Sequence, residues 1–107
     1  MEAKVTKYDK LVRDRILEII RADGKEPVSH IADGKEYWEK LKQKLAEEVT
    51  EFFEAENELE MADVLEVIKA IMKFKGFDEK EIEKIRLERR EKRGGFEEKI
   101  ILEEVRE

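Results

Sequence analysis

A chain of 107 residues is long enough for one hydrophobic core, so residues 1–107 are expected to form a single domain. Charged residues make up 49% of it and the net charge is −6, which argues against a stable nucleic-acid or anionic-membrane partner. The lack of cysteine excludes disulfides, thiolate chemistry and cysteine-based zinc sites.

Three further features of the composition bear on where the protein works. No apolar run approaches the length of a membrane span, and the polar N-terminus lacks the pattern of a signal peptide, so the sequence predicts a cytoplasmic protein. One Asn, one Gln and dense opposite charges are typical of the ion-pair networks of a thermophile. Abundant Glu, Lys, Leu and Ile favour helices over strands.

The N-terminal third predicts an arm, a helix and a loop. Residues 1–12 alternate loosely between polar and apolar side chains, as an extended arm does. A first helix is expected from about Asp14, a candidate N-cap, to RADGK, where Gly24 can take the left-handed conformation that ends a helix. The segment 25–32 contains the only proline and predicts a loop.

The second helix is expected to begin near Gly34, because Asp33 followed by Glu36 resembles a capping box. At 100° per residue its large apolar side chains fall within an arc of roughly 120°, which predicts a core-facing stripe. The stripe comprises Trp38, Leu41, Leu45, Val49, Phe52 and Phe53. Core packing is the first expectation for its aromatic residues, and stacking on a nucleobase is the alternative.

The rest of the chain predicts two more helices and an ambiguous tail. A tight reversal near Asn57 leads into a third helix, about 59–75, which is apolar on nearly every side and ends at Gly76. Asp78 can cap a fourth, highly charged helix that stops at Gly94. The tail FEEKIILEEV fits a strand or a helix. The predicted fold is therefore all-α, with about four helices and a central antiparallel hairpin.

Two pairs of acids share one spacing on the second and third helices. Glu48 and Glu51 are three residues apart, as are Glu60 and Asp63, so each pair lies on one helical face. An antiparallel hairpin turning near Asn57 is expected to bring Glu51 level with Asp63, with Glu48 and Glu60 a turn either side. Hard oxygen donors on facing helices suit Mg²⁺ or Mn²⁺. The alternative is a solvated acidic face on a helical interaction module without enzymatic activity.

Several blocks of the sequence resemble those of a known enzyme family. EEVTE (47–51) followed by EMAD (60–63) is similar to the E-E-x-x-E…E-x-x-D signature of the all-α nucleoside triphosphate pyrophosphohydrolases, the MazG-like enzymes. KLVRDRILEII near the start and EKRGGF (91–96) near the end resemble blocks of a small single-domain branch described as phosphoribosyl-ATP pyrophosphohydrolase-like. The resemblance covers nearly the whole chain.

The resemblance implies a site and a reaction. The implied Mg²⁺ ligands, with Mn²⁺ as a possible substitute, are Glu48, Glu51, Glu60 and Asp63. Glu47 is implied as an additional ligand or as the group that orients and deprotonates the attacking water. The implied activity cleaves the α–β phosphoanhydride of a nucleoside triphosphate, giving a monophosphate and pyrophosphate, in the disposal of non-standard nucleotides. Hydrolysis of phosphoribosyl-ATP is the enzymatic alternative.

A triphosphate also needs positive charge beyond the metal. Lys10 and Arg13 near the first helix, and Lys92 and Arg93 at the end of the fourth, are the expected substrate contacts, because ammonium and guanidinium groups bind phosphate oxygens. For the basic residues at a helix end, complementing the helix dipole is the alternative role.

The third helix also predicts self-association. Its apolar residues outnumber what the other helices can cover, which leaves Met61, Leu65, Ile68 and Met72 for a second copy. We therefore expect a dimer or a tetramer, as the resemblance also implies.

Overall fold

The computed structural model describes residues 4–107, and all regular secondary structure in this range is helical. The helices are α1 (Ile16–Ala22), α2 (Gly34–Ala55), α3 (Glu58–Lys75) and α4 (Glu79–Arg93). The all-α class and the count of four helices are confirmed for the described part of the chain, and the tail after Phe96 forms neither helix nor strand. Residues 1–3 of the expected arm lie outside it. None of the four helices is long and apolar enough to cross a membrane.

The chain divides into two compact units, the first ending at Lys75 and the second beginning at Gly76. The first unit contains α1, α2 and α3, and the second contains α4 and the tail. The candidate acids all belong to the first unit. That both units form one domain stays a prediction.

Side-chain caps define where α2 and α4 begin. Asp33 Oδ1 accepts a hydrogen bond of 2.8 Å from the backbone N–H of Glu36, and Asp78 Oδ1 accepts one of 2.9 Å from that of Lys80. Each cap satisfies a backbone donor that the first helical turn leaves free. Both predicted starts are confirmed.

The predicted N-cap of α1, Asp14, lies one residue before the observed N-cap position. The helix begins at Ile16, its N-cap position is Arg15, and no side chain caps it. A backbone turn takes the place of the cap, since the N–H of Ile16 donates to the carbonyl of Arg13 at 3.0 Å. The helix ends as predicted, with Gly24 at a φ of 77°.

The reversal between α2 and α3 takes only two residues. Glu56 adopts the left-handed conformation with a φ of 51°, and its N–H donates to the carbonyl of Phe52 at 2.7 Å. Asn57 Oδ1 then accepts from the N–H of Glu60 at 2.9 Å, which caps α3. The predicted turn near Asn57 is confirmed, and it makes α2 and α3 an antiparallel hairpin.

Packing between α2 and α3 forms the core of the first unit. Leu41 is 1% exposed, and Val64 and Val67 on α3 are also buried. Far from the turn, the Trp38 ring stacks on Phe74 with a centroid distance of 5.8 Å, and Tyr37 meets the same ring edge-on at 5.3 Å. These aromatic side chains therefore contribute to packing.

Phe53 does not belong to the core, contrary to the predicted stripe. Its side chain is 69% exposed. It lies in the last turn of α2, two residues before the helix ends. Phe52, one position earlier and nearer the middle of the arc, is half-buried.

We predict that Leu41→Ala lowers the free energy of unfolding by about 2–4 kcal/mol, because it leaves a cavity in the best-buried part of the hairpin. Leu59→Ala is the matched control: Leu59 is 69% exposed, so the same change should stay within about 0.5 kcal/mol. Urea unfolding followed by circular dichroism measures both. Equal effects would contradict the assignment of Leu41 to the core.

Candidate metal centre

The hairpin brings three of the predicted acids together. One carboxylate oxygen each from Glu48 on α2 and from Glu60 and Asp63 on α3 lie within 4.8 Å of one another. The i,i+3 spacing places Glu60 and Asp63 on the face of α3 that meets α2. The site therefore lies near the turn, as the short separation of the two motifs predicts.

Glu48 is the most unusual member of this group. It is a buried charged residue with 7% exposure, and its Oε2 accepts no hydrogen bond from any residue that the structure describes. Burial raises the pKa of the Glu48 carboxyl; a contact with Lys44 opposes this shift, and the nearby charge of Glu51 adds to it. Glu60 Oε2 is likewise buried and without a partner among the described residues. An unpaired carboxylate oxygen is costly to bury, so both oxygens are candidate ligands for a cation.

Glu47 has a different environment from its neighbour. Lys10 Nζ donates to Glu47 Oε1 at 2.9 Å, and Lys44 Nζ lies 3.2 Å from Oε2. The hydrogen bond from Lys10 is the largest cause of the lowered pKa of Glu47, and it also raises the pKa of Lys10. Glu47 is therefore held in its charged form beside the group.

Arg13 reaches the other side of the group from the N-terminal arm. Its Nη2 donates to Asp63 Oδ1 at 2.8 Å. Lys10 and Arg13 therefore both stand next to the carboxylates, as expected of groups that contact a metal-bound anion. Their role as substrate contacts stays a prediction.

The structure leaves two parts of the predicted site open. Among residues 4–107, the mutually close group does not include Glu51, whose side chain lies beside Glu48. Lys92 and Arg93 belong to the second unit, at the C-terminal end of α4. The roles of all three residues stay predictions.

Sequence reasoning missed Lys44. Its Nζ lies 3.2 Å from Glu47 and 3.3 Å from Glu48, so one ammonium group holds two of the predicted site residues. The signal was present in the spacing, since residues three and four apart on a helix are neighbours.

The donor set fits a hard divalent cation. Glu48, Glu60 and Asp63 offer only carboxylate oxygens, the ligands that Mg²⁺ and Mn²⁺ prefer, and two of those residues have a buried oxygen without a hydrogen bond. Glu51 beside them is the nearest further donor.

We predict opposite effects from neutralising the two adjacent glutamates in metal-free protein. Because the pKa of Glu48 is raised on folding, its charge destabilises the folded state increasingly as pH rises above the ordinary carboxyl range. Glu48→Gln should therefore raise the free energy of unfolding at pH 7, by on the order of 1 kcal/mol, with a smaller gain at pH 4. The pKa of Glu47 is lowered, so its charge stabilises above the ordinary range and this contribution is lost as pH falls.

Glu47→Gln should accordingly lower stability at pH 7, by about 0.5 kcal/mol. Thermal unfolding in the presence of a chelator, at pH 7 and pH 4, measures both variants. Destabilisation by Glu48→Gln at pH 7 would mean that its carboxylate is better satisfied than its burial indicates.

Comparison with known proteins gives one short similarity and no family. No family model matches it, and no solved structure matches it. A stretch of 41 residues, 38% of this chain, is 56% identical to a protein from Mycolicibacterium smegmatis (strain ATCC 700084 / mc(2)155) that is described as an uncharacterized protein. The matching stretch covers 42% of that protein, so this similarity concerns less than half of either chain.

Proposed function

We propose that the protein is a Mg²⁺-dependent nucleotide pyrophosphohydrolase of the MazG-like class, which hydrolyses nucleoside triphosphates to monophosphates and pyrophosphate. The observation that carries this proposal is the buried Glu48 carboxylate: its Oε2 has no hydrogen-bond partner among the described residues, and one of its oxygens lies within 4.8 Å of an oxygen of Glu60 and one of Asp63. A helix whose acids only solvate its surface would keep Glu48 exposed. The rival interpretation, an interaction module without enzymatic activity, gives no reason for that burial.

Each carboxylate has a part in this proposal. Glu48, Glu60 and Asp63 would hold Mg²⁺ or Mn²⁺, and Glu51 would complete the set from its place beside Glu48. When bound, the ion neutralises phosphate oxygens and polarises water. Arg13, which is paired with Asp63, is free to exchange that carboxylate for a phosphate oxygen once a divalent cation neutralises the acid.

Glu47 is the proposed general base. Its carboxylate is kept deprotonated by Lys10 and lies beside the ligand set, so it can accept a proton from the attacking water at an oxygen. The water oxygen bonds to phosphorus on one side of the α–β bridge, and the bridging oxygen leaves with the phosphorus on the other side. The products are a nucleoside monophosphate and pyrophosphate, and one proton passes to Glu47.

The proposed substrates are non-standard or surplus nucleoside triphosphates, and phosphoribosyl-ATP is the second candidate. Both contain the same α–β anhydride, so the carboxylates serve either one. Lys10 and Arg13 of the first unit are the proposed phosphate contacts, and the part of Lys92 and Arg93 stays a prediction.

We also propose that the active form is a dimer or tetramer. Met61, Leu65 and Ile68 on α3 are 42%, 51% and 37% exposed. At 100° per residue these three side chains fall within an arc of about 60°, centred roughly 110° from the face that carries Glu60 and Val67. Helix α3 therefore has a second apolar face beyond the one packed on α2, and a two-fold axis through such a face buries it against its own copy.

Asp63→Asn and Glu51→Gln should each abolish Mg²⁺-dependent release of pyrophosphate, a loss of at least about 100-fold, while the fold is retained. A screen of standard and modified nucleoside triphosphates that separates pyrophosphate from orthophosphate tests this. Glu39→Gln, which removes an exposed acid elsewhere on α2, is the control. Orthophosphate and a nucleoside diphosphate as products would contradict the proposal.

Mg²⁺ or Mn²⁺ should also raise the melting temperature of the parent protein, because a ligand specific to the folded state stabilises it.

Leu65→Lys combined with Ile68→Lys should disrupt assembly and activity together, because two charges then occupy the apolar face of α3. Multi-angle light scattering and the pyrophosphate assay measure the two outcomes, and circular dichroism checks the helix content. Leu59→Lys, at an exposed position on another face of α3, should leave both unchanged. A parent protein that is monomeric at every concentration and fully active would refute this part of the proposal.

A further inference from the structure

A cleft runs between the N-terminal arm and α2 on the side of Glu47. Its volume is about 190 Å³. The arm contributes residues 8–11 as one wall, and α2 contributes the other with Lys40, Gln43, Lys44 and Glu47. The α2 residues repeat every three or four positions, so they lie along one face of the helix and lead towards the carboxylates.

Three ammonium groups converge on this cleft. Lys10 and Lys44 both contact Glu47, at 2.9 and 3.2 Å. Lys40 has a neutral partner instead, because its Nζ donates to the backbone carbonyl of Asp9 at 2.7 Å. That hydrogen bond keeps the arm against α2 without cancelling the charge of Lys40. Of the charged side chains that line the cleft, three are lysines and two, Asp9 and Glu47, are acids, so the lining carries one net positive charge.

The cleft borders the candidate metal centre through Lys44. Its Nζ lies 3.3 Å from Glu48, so the same side chain lines the cleft and contacts a metal-site acid. Without a divalent cation, the neighbouring carboxylates attract the ammonium groups and repel an anion. A bound cation neutralises those carboxylates and leaves the ammonium groups available for phosphate oxygens.

We propose that this cleft binds the diphosphate end of a nucleotide whose phosphates meet the metal centre, with Lys40 and Lys44 as contacts additional to Lys10. This inference rests on the proposed function and deepens it, because it gives the substrate a direction along α2. The β- and γ-phosphates point towards Lys40, and the nucleoside lies on the far side of the carboxylates. Ammonium groups suit this role, since each is a compact point charge with three donors that can follow a rotating phosphate.

Gln43 provides the sharpest test, because it lines the cleft, is exposed and has no part in holding the arm. Gln43→Glu and Gln43→Lys change the charge of the cleft in opposite directions, and Glu and Lys are both good helix formers. With Mg²⁺ present, Gln43→Glu should weaken binding of α,β-methylene-ATP about fivefold or more, and Gln43→Lys should strengthen it by a similar factor. Isothermal titration calorimetry at low and high salt measures both affinities, and the difference should shrink at high salt.

Two variants outside the cleft are matched controls on the same helix. Lys35→Gln makes the same change in net charge as Gln43→Glu, and Glu39→Gln makes the same change as Gln43→Lys. Both should shift the affinity less than about twofold. Equal affinities for the two Gln43 variants, or effects no larger than those of the controls, would overturn the cleft assignment.

Further measurements separate this inference from the function it rests on. Mn²⁺ binding by the parent protein, followed by electron paramagnetic resonance without any nucleotide, tests the metal centre alone, and its absence would defeat the proposed function. Inorganic pyrophosphate in place of the nucleotide analogue should show the same order of affinities in the presence of Mg²⁺. If the Gln43 variants changed the affinity for pyrophosphate but not the affinity for α,β-methylene-ATP, the assignment to a nucleotide would be overturned. The cleft would then be a site for free diphosphate.

Discussion

Burial of the Glu48 carboxylate between α2 and α3 is the constraint around which the first unit is arranged. A charged group with 7% exposure and an unpartnered oxygen must be balanced by positive charge nearby. Lys44 supplies part of that balance from within the same helix, one turn away. The remainder fits a divalent cation held with Glu60 and Asp63. An apolar side chain often costs less to bury than a charged one, and the proposed metal site gives a reason for an acid at this position.

The N-terminal arm places further positive charge at the edge of the carboxylate group. Lys10 and Arg13 each pair with a carboxylate at the edge of the group, so the negative charge of the hairpin is matched by a chain segment that has little regular structure of its own. Such pairs are exchangeable, because surface ion pairs contribute little net free energy. In the proposed function, Lys10 and Arg13 would therefore exchange a carboxylate for a phosphate oxygen at little cost in the free energy of unfolding.

Local signals made much of this fold predictable. Asp33, Asp78 and Asn57 act through their own side chains on the next turn of backbone, so their caps can be read from the sequence. The start of α1 escaped prediction because a backbone turn replaced the cap, and a backbone turn has no side-chain signature. The exposure of Phe53 was not predicted, because a position at the edge of an apolar arc does not show how far the partner helix extends beside it.

The site was predictable to a similar extent, because it too depends on the spacing of residues along the helices. Spacing predicted that Glu48, Glu60 and Asp63 lie together, and they do, but the same spacing also predicted Glu51, which is not in the mutually close group among residues 4–107. Which of the acids is buried depends on how α3 packs, and no local pattern reports that. The contacts of Lys10 and Arg13 depend on the path of the arm, which has no periodicity to follow.

The two halves of the site also differ in how far apart their residues lie in the chain. Glu48 and Asp63 are joined by one short turn, whereas the ion pairs of Lys10 and Arg13 span 37 and 50 residues. Contacts between residues close in sequence require less loop closure, and chains rich in such contacts fold faster. We therefore expect the hairpin to bring its carboxylates together before the arm arrives. The acids would then meet one another before Lys10 and Arg13 pair with them.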